Sequence, residues 1–155
     1  MALVDLGDGA IGIIAGSQYD GNYAGATLYY DGRTDPDSMT GVPPGHIGLQ
    51  LGDGSQWHVA NSLTQVPFNQ WVLVTATRTA NNAANIYYNG VLQASNSVAW
   101  TGTVSYTNSW FAIGQEKDEN RPFTGLIDEV QVYDTALTAA QVQSIYNAGS
   151  SGVCP

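Results

Sequence analysis

The stretch FTGLIDEVQVYDTALTAAQV, residues 123–142, contains both kinds of regular structure that the chain is expected to form. Its first half alternates apolar and polar residues, and this pattern predicts a strand over Gly125–Tyr133. Side chains alternate along a strand, so Leu126, Asp128 and Val130 share one face. We therefore expect the Asp128 carboxylate to be at least partly buried between apolar neighbours.

The second half of this stretch predicts a helix from about Ala139 to Ala148. Thr138 is a suitable N-cap, and Gln141 completes a capping box in which each residue's side chain satisfies the other's backbone N–H. Gly149 can end the helix in the left-handed conformation. An apolar stripe, formed by Val142, Ile145 and Tyr146, would dock this helix against the rest of the fold.

Turn signals are spaced closely along the rest of the chain. Asn-Gly occurs at 89–90 and Asp-Gly at 8–9, 20–21, 31–32 and 53–54, pairs that accept the positive φ of tight hairpin turns. Segments rich in β-branched and aromatic residues lie between them: Ala10–Ala15, Ala26–Tyr30, His46–Leu51, Gln56–Val59, Trp71–Thr79, Ala84–Tyr88, Val91–Ala94 and Ser109–Ile113. They predict an antiparallel two-sheet sandwich, with surface loops at Arg33–Gly45 and Glu116–Arg121.

The composition limits the function classes. A chain of 155 residues predicts one domain with one core, and only 11% of the residues are charged, as is typical of secreted proteins. A net charge of -9 opposes nucleic-acid binding, and no apolar run is long enough to span a membrane. Cys154 is the single cysteine, so no internal disulfide is expected. Met1–Asp5 lacks the features of a signal peptide, and we expect an extracellular domain of a larger protein.

Residues 123–142 resemble the C-terminal signature of bacterial laminin G-like domains of the concanavalin A-like lectin/glucanase superfamily. Three upstream pieces are similar to the family in the same order: Trp71–Thr77, Ile86–Gly90 and the pair Ile113-Gly114. The resemblance implies an all-β jelly-roll sandwich of two curved antiparallel sheets with one short C-terminal helix. It also implies core packing for the aromatic residues in matched strands, namely Trp71, Tyr87 and Tyr133.

The usual opening of this family, which supplies outer strands, has no counterpart before Leu3. We therefore interpret residues 1–155 as a single laminin G-like domain without these N-terminal strands. An uncovered sheet edge offers unpaired backbone groups to another chain. The expected partner at such an edge is a second copy of the protein or a neighbouring domain.

Catalysis is not expected. β-Glucan-cleaving enzymes of this superfamily carry a Glu-x-Asp-x-Glu strand, which places two carboxylates about 5 Å apart across the scissile bond. The nearest tract here, Glu116-Lys-Asp118-Glu119-Asn120, has Asn at the fifth position and is better explained as a solvated loop. A glycosidase is therefore the third of the functional hypotheses.

Calcium is the one cofactor that the resemblance suggests. In relatives, the Asp of the Ile-Asp-Glu-Val tract helps to bind a structural Ca²⁺, which implies Asp128 here, with Asp5 or Asp8 as further ligands. Hard cations need six to eight oxygen ligands. The alternative is that Asp128 accepts hydrogen bonds from backbone amides without a metal.

Sugar recognition needs aromatic faces together with polar groups that pair with hydroxyls. The candidates are Trp57, His58, Trp100, Trp110, Tyr19, Tyr23 and Tyr30; the alternative for each is a structural role, packed in or against the sandwich. The first functional hypothesis is a non-catalytic carbohydrate-binding or adhesion module, with or without calcium. The second is a structural or protein-interaction domain that binds no sugar.

Overall fold

The computed structural model describes residues 2–6, 11–19, 22–32, 42–81, 83–93, 102–115 and 122–149, with the backbone alone for 3–6, 11, 18 and 19. This part of the chain forms ten strands and one helix: β1 (Ala2–Leu6), β2 (Ile11–Tyr19), β3 (Ala24–Asp31), β4 (Ile47–Asp53), β5 (Trp57–Asn61), β6 (Trp71–Arg78), β7 (Ala84–Tyr88), β8 (Val91–Gln93), β9 (Trp110–Ile113), β10 (Gly125–Asp128) and α1 (Ala139–Ala148). None of the helices in these ranges has the length and apolar character that a membrane span requires.

The strands form two five-stranded antiparallel sheets. The first sheet has the order β10-β1-β6-β7-β8, and the second has the order β5-β4-β3-β2-β9. Both sheets are built mainly from strands that are neighbours in sequence, with β1, β9 and β10 returning from distant parts of the chain. This arrangement confirms the predicted all-β sandwich of jelly-roll type.

The core lies between the two sheets. Every second side chain of each central strand points inward, so the second sheet contributes Ile14, Leu28, Tyr30 and Ile47, and the first sheet contributes Val72, Val74, Ile86 and Tyr88. Most residues on the opposite face of β3 and β4 are buried as well, for example Tyr29 and Gln50. Tyr30 is only 1% exposed, so its inclusion among the sugar-contacting candidates was wrong.

The helix and two of the predicted turns are confirmed, whereas Asp31-Gly32 forms no such turn: Asp31 is the last residue of β3, and neither residue has a positive φ. Asp53-Gly54 lies in the β4–β5 hairpin, and Asn89-Gly90, with φ of 49° and 80°, joins β7 to β8. Helix α1 has its N-cap at Thr138 with the complete capping box. The helix docks through Val142, which is fully buried, whereas Tyr146 of the predicted apolar stripe is exposed.

Strand β10 is shorter than predicted: it ends at Asp128 rather than at Tyr133. Glu129 has a positive φ of 49°, and its N–H donates to Asp128 Oδ1 at 2.8 Å, which turns the chain out of the sheet. Ile127 packs against the core, so Asp128 lies on the opposite face and is exposed. The expectation of a partly buried Asp128 was therefore wrong.

The positions of two aromatic residues also differ from the expectation. Trp71 begins β6 on the face opposite the core residue Val72, and Tyr133 lies in the irregular segment after β10. Both side chains are exposed, so the predicted core packing was wrong for them. Tyr87, the third aromatic residue, is buried as predicted.

The first strand, Ala2–Leu6, was not predicted, although it holds a central position. It pairs with β6 on one side and with β10 on the other, so the start of the chain covers part of the first sheet. Within the described residues, β8 and β10 are the edges of the first sheet, and β5 and β9 are the edges of the second. The predicted loop Glu116–Arg121 and most of Arg33–Gly45 lie outside the described residues.

Candidate functional site

A row of five residues crosses the second sheet near one end. The strand register places Trp57 opposite Gly52, Gly52 opposite Gly25, Gly25 opposite Gln18, and Gln18 opposite Trp110. Residues paired in this way lie on the same face of an antiparallel sheet. Because neighbouring strands are spaced by about 4.8 Å, the two tryptophans at the edges start about 19 Å apart along the row.

This row lies on the outer face of the second sheet. The adjacent residues Leu51 and Ala26 belong to the core or pack against it, so Gly52 and Gly25 point away from it. A Cβ atom on Gly52 would overlap the Tyr23 carbonyl oxygen and the Trp57 ring. The absence of a side chain at Gly52 therefore allows the Trp57 ring to lie across the sheet.

Tyr23 completes an aromatic pair with Trp57. The ring centroids are 6.0 Å apart with an interplanar angle of 68°, a T-shaped contact. The side chains of Tyr23 and Trp110 are 44% and 45% exposed, and Trp57 is half-buried. Aromatic surface is thus accessible to solvent at both ends of the row.

The loops around this end of the sheet are held by hydrogen bonds. Tyr23 itself has a positive φ of 52°, and its carbonyl accepts the Gly54 N–H at 2.9 Å. The Ser105 backbone accepts from the Gly25 N–H and donates to the Gly52 carbonyl, at 2.7 and 2.8 Å. Rigid support of this kind lowers the entropic cost of binding, because the aromatic groups are positioned before a ligand arrives.

Asp53 organises the hairpin that carries Trp57. Its Oδ1 accepts the backbone N–H groups of Ser55 and Gln56 at 2.7 and 2.9 Å, and its Oδ2 contacts His58 Nε2 at 2.8 Å. The hydrogen bond from His58, followed by those from Gln56 and Ser55, lowers the pKa of the Asp53 carboxyl from 3.8 to about 2. The ionised form of Asp53 therefore stabilises the β4–β5 hairpin.

We expect Asp53→Asn to destabilise the protein at neutral pH but much less in acid. The depressed pKa means that the stabilisation is complete above pH 3.8 and is lost as the pH falls through about 2. Urea unfolding of both proteins between pH 6 and 2 should show two midpoints that converge in acid. Asp134→Asn, a change at an exposed aspartate, is the control. A constant difference between Asp53→Asn and the parent across this range would contradict the assignment.

Of the predicted sugar-contacting residues, Tyr23 and Trp57 are in contact, and Trp110 lies at the opposite edge of the same sheet. His58 points to the core side of the sheet beside Leu51, and its side chain is only 12% exposed. Its hydrogen bond to Asp53 gives it a structural role in the hairpin. Trp100 lies outside the described residues, as does the side chain of Tyr19. Asp53 was overlooked in the sequence, where its Asp-Gly turn was the only signal.

The described residues do not by themselves form a calcium site. Asp128 offers one exposed carboxylate, and its Oδ1 already accepts the Glu129 N–H. Asp5 is described only as backbone, paired with Leu126, and Asp8 lies outside the described residues. Across the described ranges, no three side chains of His, Cys, Asp or Glu come together in a group that could hold a metal ion.

Comparisons with known proteins agree with this architecture. The family model of the concanavalin A-like lectin/glucanases superfamily matches residues 13–143. A search of curated proteins finds no match. The chain is similar to the native heptameric SAP-like pentraxin of Limulus polyphemus, with 19% identity and a TM-score of 0.67, over 99% of this chain and 70% of the pentraxin. It is also similar to a putative carbohydrate binding protein of Bacteroides ovatus, with 22% identity and a TM-score of 0.64, over 92% of this chain and 38% of that protein.

Proposed function

We propose that this chain, which belongs to the laminin G-like branch of the concanavalin A-like lectin/glucanases superfamily, is a non-catalytic carbohydrate-binding module. The proposed binding surface is the outer face of the second sheet between Trp57 and Trp110. This superfamily also contains enzymes and structural domains, so the proposal rests on the site rather than on the fold.

The observation that carries the proposal is the placement of two tryptophans on one row and one face of the sheet. Aromatic rings offer flat apolar surface to the C–H faces of pyranose rings. Between the tryptophans the row contains Gly25 and Gly52, which are buried, with the Tyr23 backbone and the Trp57 ring lying over Gly52. The proposed ligand is therefore an extended one that contacts both edges of the sheet.

The separation of the two tryptophans indicates the size of the ligand. About 19 Å between their backbones exceeds the reach of one sugar ring, so we propose an oligosaccharide or a polysaccharide segment. Tyr23, edge-on to Trp57, extends the aromatic surface at that end. The similar protein from Bacteroides ovatus is described as a putative carbohydrate binding protein, which supports a carbohydrate as the ligand.

The module is proposed to act outside the cell, as part of a larger secreted or surface protein. The low content of charged residues supports this location, since the surface depends on Asn, Gln, Ser, Thr and Gly instead. Calcium dependence stays a prediction from the family resemblance. No step of the proposed recognition requires the ion.

We expect a glycan array to identify an oligosaccharide ligand, and Trp110→Ala to weaken its binding by about tenfold or more, a loss of about 1.4 kcal/mol. Trp57→Ala should have an effect of the same size or larger, because it also removes the partner of Tyr23. Titration calorimetry, with calcium and with a chelator, measures the ligand affinity of both variants. The matched control is Trp71→Ala, since Trp71 is 44% exposed but lies on the first sheet.

Equal affinities of the Trp110→Ala and Trp71→Ala variants would contradict the proposed surface. A folded protein with no ligand on the array would instead favour the structural or protein-interaction role.

One observation supports that second role: Phe111 and Ile113 of β9 and Leu126 of β10 are exposed apolar residues on edge strands. A second copy or a neighbouring domain is the proposed partner at such an edge. Sedimentation at micromolar concentration would detect self-association with a second copy.

A further inference from the structure

Strand β9 is an edge of the second sheet and pairs with β2 alone in the described part of the chain. The Gly114 N–H donates to the Ile14 carbonyl at 3.1 Å, on the side of β2. The Ile113 carbonyl belongs to the same trans peptide and therefore points away from β2. Because backbone groups alternate in direction along a strand, the N–H and carbonyl groups of both Phe111 and Ile113 face outward. They have no backbone partner among the described residues.

The side chains of the same two residues are apolar and about half exposed. Phe111 is 53% and Ile113 is 52% exposed, and both lie on the inner side of the sheet, since Ile113 is opposite Ala15, which packs against the core. Tyr106, just before β9, and Trp110 have similar exposure. Together the four side chains expose about 400 Å². An exposed apolar patch of this size is typical of an interaction surface.

The edge also lacks the residues that normally prevent pairing between copies. Proteins protect edge strands with lysine and other charged side chains, with proline or with bulges. Residues 94–115 contain no Asp, Glu, Lys, Arg or Pro. The net charge of -9 opposes the association of two copies, but none of that charge lies on β9 or on the segment before it. A second copy can therefore approach this strand without a like charge directly opposite.

We propose that two copies of the chain associate through their β9 strands, which pair antiparallel about a twofold axis at Ala112. In this register the outward groups of Phe111 in one copy pair with those of Ile113 in the other, and the symmetry repeats the pairing, so that all of these groups are satisfied. The two Ala112 residues face each other on the axis, where the Cα atoms of such a pair are about 4.5 Å apart and small side chains fit.

The residues on either side of β9 disfavour the neighbouring registers. An axis at Phe111 would need the Ser109 backbone, but the Ser109 N–H already donates to the Tyr106 carbonyl at 3.2 Å. An axis at Ile113 would need the strand to continue to residue 115, whereas Gly114 has a positive φ of 75° and β9 ends before it. The axis at Ala112 uses only backbone groups that are already extended and unpaired.

The size of this interface indicates a reversible dimer. Two of the exposed surfaces contribute about 800 Å², and the strand backbones bring the total to about 1,000 Å², the lower limit for a specific interface. Much larger interfaces are typical of permanent dimers. We therefore expect monomer and dimer to exchange at micromolar concentration.

This pairing would extend the proposed carbohydrate surface. Trp110 lies on the outer face in each copy, and the register places the two Trp110 residues four positions apart on neighbouring strands, with about 14 Å between their backbones. The partner copy thereby adds its own row of residues to the same face. This consequence rests on the carbohydrate proposal, whereas the pairing itself does not and is measured without sugar.

Sedimentation over a series of micromolar concentrations tests the association. The parent should shift from the mass of one chain to that of two as the concentration rises. Ile113→Lys places a charge in the interface and should weaken association by about tenfold or more, with little change in melting temperature because Ile113 is half exposed. The matched control is Leu126→Lys, the same type of change at a residue that is 58% exposed on β10, and it should associate as the parent does.

A cysteine variant tests the register and also serves if Ile113→Lys does not fold. In a Cys154→Ser background, Ala112→Cys should form a covalent dimer under mild oxidation, because a Cα separation of about 4.5 Å lies within the disulfide range. Leu126→Cys is the control. A parent that stays monomeric throughout the series, equal association of Ile113→Lys and the parent, or crosslinking of Ala112→Cys no faster than that of Leu126→Cys would each overturn the proposal.

Discussion

Replacing Tyr88 with Phe is expected to lower the free energy of unfolding by about 1 to 3 kcal/mol, because a buried hydroxyl that links the two sheets is lost. Tyr88 lies on β7 of the first sheet, and its hydroxyl donates to Ser62 Oγ at 2.5 Å and accepts the Ile47 N–H at 3.3 Å. Ser62 Oγ in turn donates to the Thr64 carbonyl at 3.0 Å. The network therefore fastens β7 to the start of β4 and to the segment after β5.

The same residue should make the protein sensitive to alkali. Burial raises the pKa of Tyr88 from 10.0 to about 12, and the hydrogen bonds with Ser62 and Ile47 only partly offset that effect. A raised pKa means that the contribution to stability is complete below pH 10 and is lost as the pH rises through about 12. Two pKa units correspond to about 2 to 3 kcal/mol.

Urea unfolding between pH 8 and pH 12 measures both effects. The parent should lose stability above pH 10, and Tyr88→Phe should start lower but lose less over the same range. Tyr87→Phe is the matched control, since Tyr87 is the preceding residue of β7 and is also buried, while its hydroxyl has no partner in the described part of the chain. If Tyr88→Phe and the parent decline in parallel above pH 10, Tyr88 does not hold the sheets together in the way described.

The second large loss of stability is expected for Gly52→Ala. The added methyl group would overlap the Tyr23 carbonyl oxygen, which belongs to the backbone, and it would also meet the Trp57 ring. Overpacking of this kind costs about 1 to 3 kcal/mol, and more where the backbone must move. We expect a lower urea midpoint together with a changed near-ultraviolet dichroism signal from the Tyr23 and Trp57 pair.

Gln56→Ala is the control for Gly52→Ala, because Gln56 is exposed in the same hairpin. The variant retains the hydrogen bond from the backbone N–H of residue 56 to Asp53 Oδ1. A Gly52→Ala variant as stable as Gln56→Ala, with an unchanged dichroism spectrum, would show that the Trp57 ring does not lie across the sheet at this position. The carbohydrate proposal would then lose the surface on which it depends.

The candidate site was only partly predictable from the sequence. A position near a glycine-rich turn indicated an exposed aromatic side chain, correctly for Tyr23 and Trp110 and in part for Trp57. The same signal selected Tyr30, which is buried. Neighbouring residues on a strand face opposite sides, so Tyr29 and Tyr30 pack into two different clusters, one on each face of the second sheet. Both faces are covered at this point, by the first sheet on one side and by Val42 on the other, and this covering depends on the rest of the chain.

The sequence by itself determined the features that local chemistry decides. Asp53-Gly54 and Asn89-Gly90 set two hairpins because they accept the required φ values, and Thr138 with Gln141 set the start of α1 because the capping box is complete within four residues. Only the tertiary structure decided the features that depend on pairing between distant strands. Ala2–Leu6 became a central strand through its neighbours β6 and β10, and Trp57 and Trp110, 53 positions apart in the chain, came to share one row through the register of five strands. Long-range pairing is fixed by packing over the whole sandwich rather than by the residues of any one segment, and for that reason it leaves no readable local pattern.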